Sequence, residues 1–180
     1  MTEPVERVED FARVDDGFER LWTPHRMAYV QGERPDPAAG QGCPFCAAPA
    51  KDDAEGLIVH RGQLCFVVMN LFPYNPGHVL VCPYRHVAGY LDLTDEETDE
   101  FTALTKAAMR ALTAASQPMG FNLGMNQGAV AGAGVAAHLH QHVVPRWGGD
   151  ANFLPIVGQT KALPVLLEDS RRLLVEHWPA

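Results

Sequence analysis

The chain of 180 residues is long enough for one sizeable hydrophobic core and too short for two independent domains of ordinary size. Its formal net charge of −8 argues against broad, non-specific binding to nucleic acids or anionic membranes, because both require basic surface. No apolar run approaches the length that crosses a membrane. Neither the charge nor the composition excludes binding of a small phosphorylated ligand.

The first 40 residues are predicted to form an N-terminal extension. They begin with "MTEPVERVEDFARVDDGFERL", which lacks the basic start and apolar middle of a secretion signal. We therefore expect a cytoplasmic protein with reduced cysteines. The Pro- and Gly-rich stretch at 32–42 is typical of a loop, and the folded domain is predicted to span 41–180.

Two of the four cysteines, Cys43 and Cys46, form a CxxC motif at the start of this domain. In the cytoplasm the motif favours metal binding or redox chemistry over a disulfide framework. A redox role is disfavoured because no strand precedes the motif as in a thioredoxin βαβ unit, and an exposed turn with reduced thiols is the alternative. Cys65 and Cys82 lie in apolar runs and are expected to be buried.

Three strands are predicted after the motif. Apolar runs at 56–60 and 63–70 are separated by Arg61 and Gly62, which predicts a tight hairpin. The stretch "NLFPYNPG" contains two prolines and a glycine, so the chain must turn before the third strand at 78–83.

The stretch 93–116 is predicted to be a long helix. Thr94 and Glu97 form a capping box, and apolar residues then recur at helical spacing. A fourth strand is predicted at 121–126, where apolar and polar residues alternate, and the small residues at 128–134 predict a flexible loop.

The segment "HLHQHVVP" at 138–145 is predicted to be the fifth strand. A strand directs alternate side chains to opposite faces, so one face carries three imidazoles. The histidines are His138, His140 and His142, and the opposite face carries Leu139, Gln141 and Val143.

A C-terminal amphipathic helix is predicted over 163–178, with Pro164 in its first turn. Together the elements predict an α+β fold. It consists of a largely antiparallel five-stranded sheet, one long crossover helix and the C-terminal helix.

Three imidazoles on one strand face favour a functional explanation, because burying each of them without a partner costs free energy. They could chelate one metal ion, or one histidine could act as nucleophile or general acid/base while its neighbours orient it and bind the substrate. The preceding loop, "NQGAVAGAG", would let backbone amides approach phosphate oxygens closely, which favours the second explanation.

The chain resembles the histidine triad (HIT) family over about 41–147. "HLHQHVV" fits the pattern His-φ-His-φ-His-φ-φ, with Gln141 at a usually hydrophobic position, and "FVVMNLFPYNPGHVLVCPYRH" is similar to the family's strand, Asn, Pro-Gly-His, strand passage. "LWTPHRMAYV" and "PRWGGDANF" resemble the bacterial branch that includes diadenosine tetraphosphate phosphorylases.

The resemblance implies a HIT-like fold and an enzyme that cleaves a phosphoanhydride of a nucleotide or dinucleoside polyphosphate. His140 would attack the α-phosphorus and form a covalent nucleotidyl-histidine, which water or inorganic phosphate resolves. His142 would bind phosphate oxygens, and Asn70 would contact the nucleoside. The resemblance further implies a homodimer, and it assigns the remaining phosphate contacts to Asn126, Gly132, Ala133 and Gly134. For Asn70 and Asn126, the non-functional alternatives are a turn residue and a polar strand face.

The loop before the triad departs from one branch of the family. Dinucleotide hydrolases of the fragile histidine triad type carry Ala-Gly-Gln there, whereas this chain has Gly132-Ala133-Gly134-Val135 without a Gln. The smaller side chains favour a phosphorylase, in which the loop leaves room for inorganic phosphate.

The resemblance also implies a structural zinc site. Zinc-bearing branches complete the CxxC pair with a His after the third strand and the first His of the triad, here His86 and His138. Cys43, Cys46, His86 and His138 would form a closed tetrahedral Cys2His2 set.

Three alternatives remain open. A nucleoside phosphoramidase or AMP-releasing hydrolase would differ only in substrate or acceptor. A nucleotide-binding sensor would not need the nucleophile that an intact triad supplies. A cupin-like metalloenzyme would use the three histidines as ligands, but no second cupin motif is visible and the CxxC would be unexplained.

Overall fold

The computed structural model describes residues 42–150 and 163–179, and the predicted extension at 1–40 lies outside them. Five strands form one sheet in the order β1-β2-β3-β5-β4, and every neighbouring pair is antiparallel. The predicted five-stranded antiparallel sheet is therefore confirmed. The strands are β1, Ile58–Arg61; β2, Cys65–Met69; β3, Val79–Pro83; β4, Gly120–Gly124; and β5, Gln141–Arg146.

The α-helices of the described ranges are α1, Pro44–Ala47; α2, Asp95–Ser116; and α3, Leu167–Glu176. The long crossover helix is confirmed as α2, which connects β3 to β4. Its predicted capping box is formed, because Thr94 Oγ1 accepts from the Glu97 N–H at 3.2 Å and Glu97 Oε2 accepts from the Thr94 N–H at 2.8 Å. No helix in the described part of the chain could span a membrane.

The predicted start of the fifth strand is wrong. β5 begins at Gln141, three positions after the predicted start, because the β3–β5 register, continued by two residues, would set Leu139 opposite Pro83. Proline has no backbone N–H to donate, so the ladder ends. The Leu139 N–H instead donates to the Val87 carbonyl at 2.6 Å.

Further boundaries differ from the prediction. β4 ends at Gly124 and not at residue 126, so Asn126 lies beyond the strand. The helix α3 begins at Leu167, so Pro164 precedes it rather than lying in its first turn. The predicted tight hairpin is a longer connection, in which Arg61 belongs to β1 and the Gly62 N–H donates to the Cys65 carbonyl at 2.9 Å. Glu100 of α2 holds this connection, because its carboxylate accepts backbone N–H groups from residues 63–65.

The sheet has two different faces. On one face α2 packs against β2, β3 and β5, and α3 packs against α2 and β1. The core beneath these helices includes Leu139 and Val143. The opposite face carries a smaller apolar cluster against which Phe45 of α1 packs, and its buried members are Ile58, Phe66, Val68, Leu80 and Cys82.

Candidate functional site

The three histidines lie on the sheet face away from α2. Leu139 and Val143 are buried in the core beneath that helix, at 2% and 0% exposure. The chain remains extended enough before β5 for the histidines to alternate with these residues. The predicted separation of the two faces is therefore present, although the strand itself starts later than expected.

Four side chains from three distant segments form a cluster beside the first of these histidines. Cys43 precedes α1, Cys46 lies within it, His86 follows β3, and His138 precedes β5. Their potential ligand atoms all lie within 4.8 Å of one another. The structure thus brings together all four residues that were predicted to bind a metal ion.

The distances within this cluster fit a tetrahedral metal ion. Cys43 Sγ and Cys46 Sγ lie 3.4 and 3.5 Å from His138 Nδ1, and Cys46 Sγ lies 3.3 Å from His86 Nδ1. Sulfur and nitrogen ligands at ordinary zinc bond lengths stand about 3.5 Å apart around a tetrahedron. The three separations therefore match the spacing of ligands around zinc.

Hydrogen bonding orients His138 towards the cluster. Its Nε2 lies 2.9 Å from the Pro83 carbonyl oxygen, which can only accept, so Nε2 carries the proton and the Nδ1 lone pair faces the thiols. Burial lowers the pKa of His138 to about 4, which favours the neutral ligand form. Burial also raises the pKa of the Cys46 thiol to about 11, with the neighbouring Cys43 adding to the rise, so a cation is needed to hold it as thiolate.

His140 is buried and held by the main chain. Its Nδ1 lies 2.8 Å from the His138 carbonyl oxygen, and its side chain is 5% exposed. Because a carbonyl cannot donate, the proton resides on Nδ1 and the lone pair on Nε2. Burial lowers the pKa of His140, which keeps the imidazole neutral near neutral pH.

A chain of hydrogen bonds fixes the tautomer of His142. The Tyr74 backbone N–H donates to His78 Nδ1 at 3.0 Å, so the His78 proton resides on Nε2. His78 Nε2 then donates to His142 Nδ1 at 2.9 Å, which leaves the His142 proton on Nε2. The Nε2 atom of His142 is thus a hydrogen-bond donor, whereas the Nε2 atom of His140 carries a lone pair.

His78 and Phe45 are parts of this site to which the sequence analysis assigned no role. His78 was quoted in the Pro-Gly-His passage, but its bond to His142 depends on the pairing of β3 with β5, which sets Leu80 opposite His142. The Phe45 ring lies 5.5 Å from the His138 ring and 4.8 Å from the His140 ring. The sequence pointed to Phe45 only through its place inside the CxxC motif.

Two of the predicted substrate-binding residues, Asn70 and Asn126, lie just beyond the ends of β2 and β4. Asn70 follows β2, and its Oδ1 accepts the Phe72 N–H at 3.0 Å, which is the turn contact expected of the non-functional alternative. Asn70 Nδ2 also lies 3.2 Å from His78 Nδ1, so this side chain borders the histidine pair. Asn126 follows β4, in which Gly124 lies opposite His142.

The loop of small residues contains a short 3-10 helix, Ala129–Ala131. Gly128 and Gly132 flank it with φ angles near 83°, a conformation that glycine adopts without strain. Ala133 is 8% exposed, and Gly134 follows in the irregular segment that leads to His138.

Comparison with known proteins gives consistent matches. The family model described as HIT domain matches residues 51–149. An AP-4-A phosphorylase from Mycobacterium tuberculosis is 50% identical over 167 residues, which cover 91% of this chain and 86% of the relative.

Solved structures of two histidine triad proteins share the fold. A Zn-bound histidine triad family protein from Mycobacterium smegmatis is 25% identical with a TM-score of 0.61, over 77% of this chain and 94% of that chain. A hypothetical histidine triad nucleotide-binding protein from Sulfolobus tokodaii is 26% identical with a TM-score of 0.62, over 75% and 91% of the two chains.

Proposed function

The chain belongs to the HIT domain family, and we propose that it is an enzyme that cleaves dinucleoside polyphosphates such as diadenosine tetraphosphate. The observation that carries this proposal is the hydrogen bond from His140 Nδ1 to the His138 carbonyl, which leaves the Nε2 lone pair for attack on phosphorus. The relative named AP-4-A phosphorylase supports the substrate class.

In the first step, His140 Nε2 attacks the α-phosphorus and forms a P–N bond. The bond from that phosphorus to the bridging oxygen breaks, and the remaining nucleoside polyphosphate leaves with the electron pair. With diadenosine tetraphosphate, the leaving group is ATP and the enzyme retains AMP on His140. The Nε2–H of His142 would donate to a phosphoryl oxygen and stabilise the charge of the transition state.

In the second step, an oxygen of inorganic phosphate attacks the same phosphorus. The P–N bond breaks, its electron pair returns to His140 Nε2, and ADP forms. We propose phosphate as the acceptor because the loop at Gly132, Ala133 and Gly134 carries only small side chains where one branch of the family has a Gln.

The remaining substrate contacts would be made by residues that follow β2 and β4 and by the loop before β5. Asn70, which borders His78, would bind the nucleoside, and Asn126 with the Gly132–Gly134 loop would bind phosphate oxygens.

We also propose that Cys43, Cys46, His86 and His138 bind one structural zinc ion. Four protein ligands would fill its coordination shell, so the ion would fix α1 and the His138 segment without entering the reaction. The donor types and the three sulfur–nitrogen separations of 3.3–3.5 Å support this proposal. We further propose that the enzyme is a cytoplasmic homodimer.

Product analysis tests the proposed reaction. Diadenosine tetraphosphate is incubated with and without inorganic phosphate labelled with 18O, and ADP that carries the label in its β-phosphate is the expected product. Release of AMP and ATP in the absence of phosphate would mean that the enzyme is a hydrolase and not a phosphorylase. Binding of the dinucleotide without turnover would indicate a nucleotide sensor. Turnover confined to nucleoside phosphoramidates would indicate a phosphoramidase.

The variant His140→Ala tests the nucleophile. It should abolish turnover and the acid-labile nucleotidyl adduct, whereas His177→Ala should retain both, because His177 is exposed beyond the end of α3. Unchanged turnover in His140→Ala would remove His140 from the mechanism.

A further inference from the structure

The aromatic ring of Tyr74 covers one side of the hydrogen-bonded pair His78 and His142. Its centroid lies 4.8 Å from the His78 ring and 5.6 Å from the His142 ring. The Tyr74 and His142 rings are nearly parallel, with an angle of 18° between their planes. The backbone N–H of the same residue donates to His78 Nδ1. Tyr74 therefore contacts this pair through both its main chain and its side chain.

The position of Tyr74 is fixed by its neighbours in the loop between β2 and β3. Pro73 precedes it, and Asn75, which is 1% exposed, follows it. Asn75 Nδ2 donates to the Pro145 carbonyl at 2.9 Å and to Asp150 Oδ2 at 2.7 Å. Because Pro145 belongs to β5, this bond fixes the loop to the strand that carries His142.

We propose that Tyr74 is a positioning residue that holds His142 as a phosphate-directed donor, a role that rests on the function proposed above. A turn of His142 about its Cβ–Cγ bond would exchange Nδ1 with a carbon and break the bond to His78. The stacked ring of Tyr74 occupies the space through which the imidazole would turn. It also keeps water from competing for His142 Nδ1 on that side.

The ring, rather than the phenolic hydroxyl, makes the contacts with both imidazoles. Phenylalanine should therefore replace tyrosine with little loss, whereas leucine offers no flat surface to stack on His142. The backbone N–H of residue 74 is retained in both variants, so they isolate the contribution of the ring.

The experiment compares Tyr74→Phe, Tyr74→Leu and the control Phe72→Leu. Phe72 lies in the same loop and is 79% exposed, so its side chain should be dispensable. With diadenosine tetraphosphate and phosphate, Tyr74→Leu should lower kcat roughly 10- to 100-fold with KM within about twofold of wild type. Tyr74→Phe and Phe72→Leu should remain within about twofold of wild type in both constants.

A second readout needs neither substrate nor turnover. Long-range 1H–15N spectra of the full chain report which ring nitrogen of His78 and His142 carries the proton. Wild type and Tyr74→Phe should show Nε2–H for both residues, and Tyr74→Leu should show mixed tautomers of His142. If wild type turns over no dinucleotide, the proposed function fails while this measurement still tests the positioning role.

Three results would overturn the positioning role. Equal loss of kcat in Tyr74→Phe and Tyr74→Leu would mean that the hydroxyl contacts the substrate. A rise in KM alone would mean that the ring binds the nucleotide. An unchanged His142 spectrum in a folded Tyr74→Leu protein, checked by its denaturation midpoint, would show that the ring does not hold the imidazole.

Discussion

His140 and His142 have the same side chain, but their neighbours give them opposite protonation patterns. The His138 carbonyl holds the proton of His140 on Nδ1, whereas His78 donates to His142 Nδ1 and leaves that proton on Nε2. The Nε2 atoms therefore differ, because that of His140 carries a lone pair and that of His142 carries a proton. The chemistry of each imidazole is thus determined by the partner of its other nitrogen.

Burial of His142 predicts a loss of stability in acid. Burial, with His140 nearby, lowers its pKa from 6.5 to about 4. Between these values the unfolded chain binds a proton at this residue and the folded chain does not, so the free energy of unfolding falls as pH decreases from 6.5 to 4. Urea denaturation across this range should show the fall, and His142→Asn should reduce the difference in bound protons by roughly one.

The control for this measurement is His177→Asn, which changes an exposed histidine. The stability of His142→Asn should vary less with pH than the stability of this control. If the two variants instead varied equally with pH, His142 would titrate alike in the folded and unfolded chains, contrary to its lowered pKa.

At the scale of elements, Gln141 shows why the triad strand departs from the hydrophobic pattern of the family. The side chain of Gln141 faces α2, where Nε2 donates to Thr105 Oγ1 at 3.2 Å. Thr105 is 7% exposed, and its own hydroxyl donates to the Phe101 carbonyl at 2.8 Å. A polar side chain is tolerated at this position because its partner lies in the facing helix.

A double-mutant cycle tests this link between β5 and α2. Thr105→Val should lower the free energy of unfolding by about 1–3 kcal/mol, since it leaves the Gln141 amide without its partner. Gln141→Leu should cost less, about 1 kcal/mol, because the Thr105 hydroxyl keeps its bond to the Phe101 carbonyl. The double variant should lose less than the sum, because both polar groups are then absent. Chemical denaturation measures all four proteins.

Thr113→Val is the matched control for the cycle. Its hydroxyl donates to the Met109 carbonyl within α2 and is exposed, so the change should cost no more than about 0.5 kcal/mol and add independently to Gln141→Leu. Strict additivity of Gln141→Leu with Thr105→Val would show that the bond contributes nothing.

Elements whose signals are local could be predicted from the sequence. The helix α2 begins where Thr94 and Glu97 cap each other, and both residues lie within four positions. The start of β5 could not be predicted in this way, because it depends on Pro83 in another strand. The four-residue helix α1 has too little periodicity to be recognised.

The same distinction applies to the site. The predicted metal cluster was found because its ligand types and the family pattern are visible in the sequence, and the structure brings the four ligands together. The role of His78 required knowledge of which residue of β5 lies opposite β3. The stacking of Tyr74 on His142 depends in turn on that pairing.

At the scale of the whole molecule, the cysteine–histidine cluster connects segments far apart in the chain. Cys43 and His138 are separated by 95 positions, and Cys46 and His86 by 40. The same His138 supplies the carbonyl that holds His140. An ion in the cluster would therefore stabilise the segment that carries His140, the proposed nucleophile, as well as the fold.

Chelation tests the contribution of this ion. Elemental analysis of protein purified without added metal should give about one zinc per chain. Removing the ion leaves Cys43 and His138, each 1% exposed, without the partner that compensates their burial. The domain keeps its own hydrophobic core, so we expect a loss of about 4 kcal/mol rather than complete unfolding, and a fall in Tm of roughly 10 °C.

Cys46→Ser should show the lower Tm without chelator and no further fall with it, whereas Cys82→Ala, which alters a buried thiol outside the cluster, should retain the response to chelator. A wild-type protein that is metal-free as purified, with a Tm unaffected by chelation or by added zinc, would contradict the proposed site.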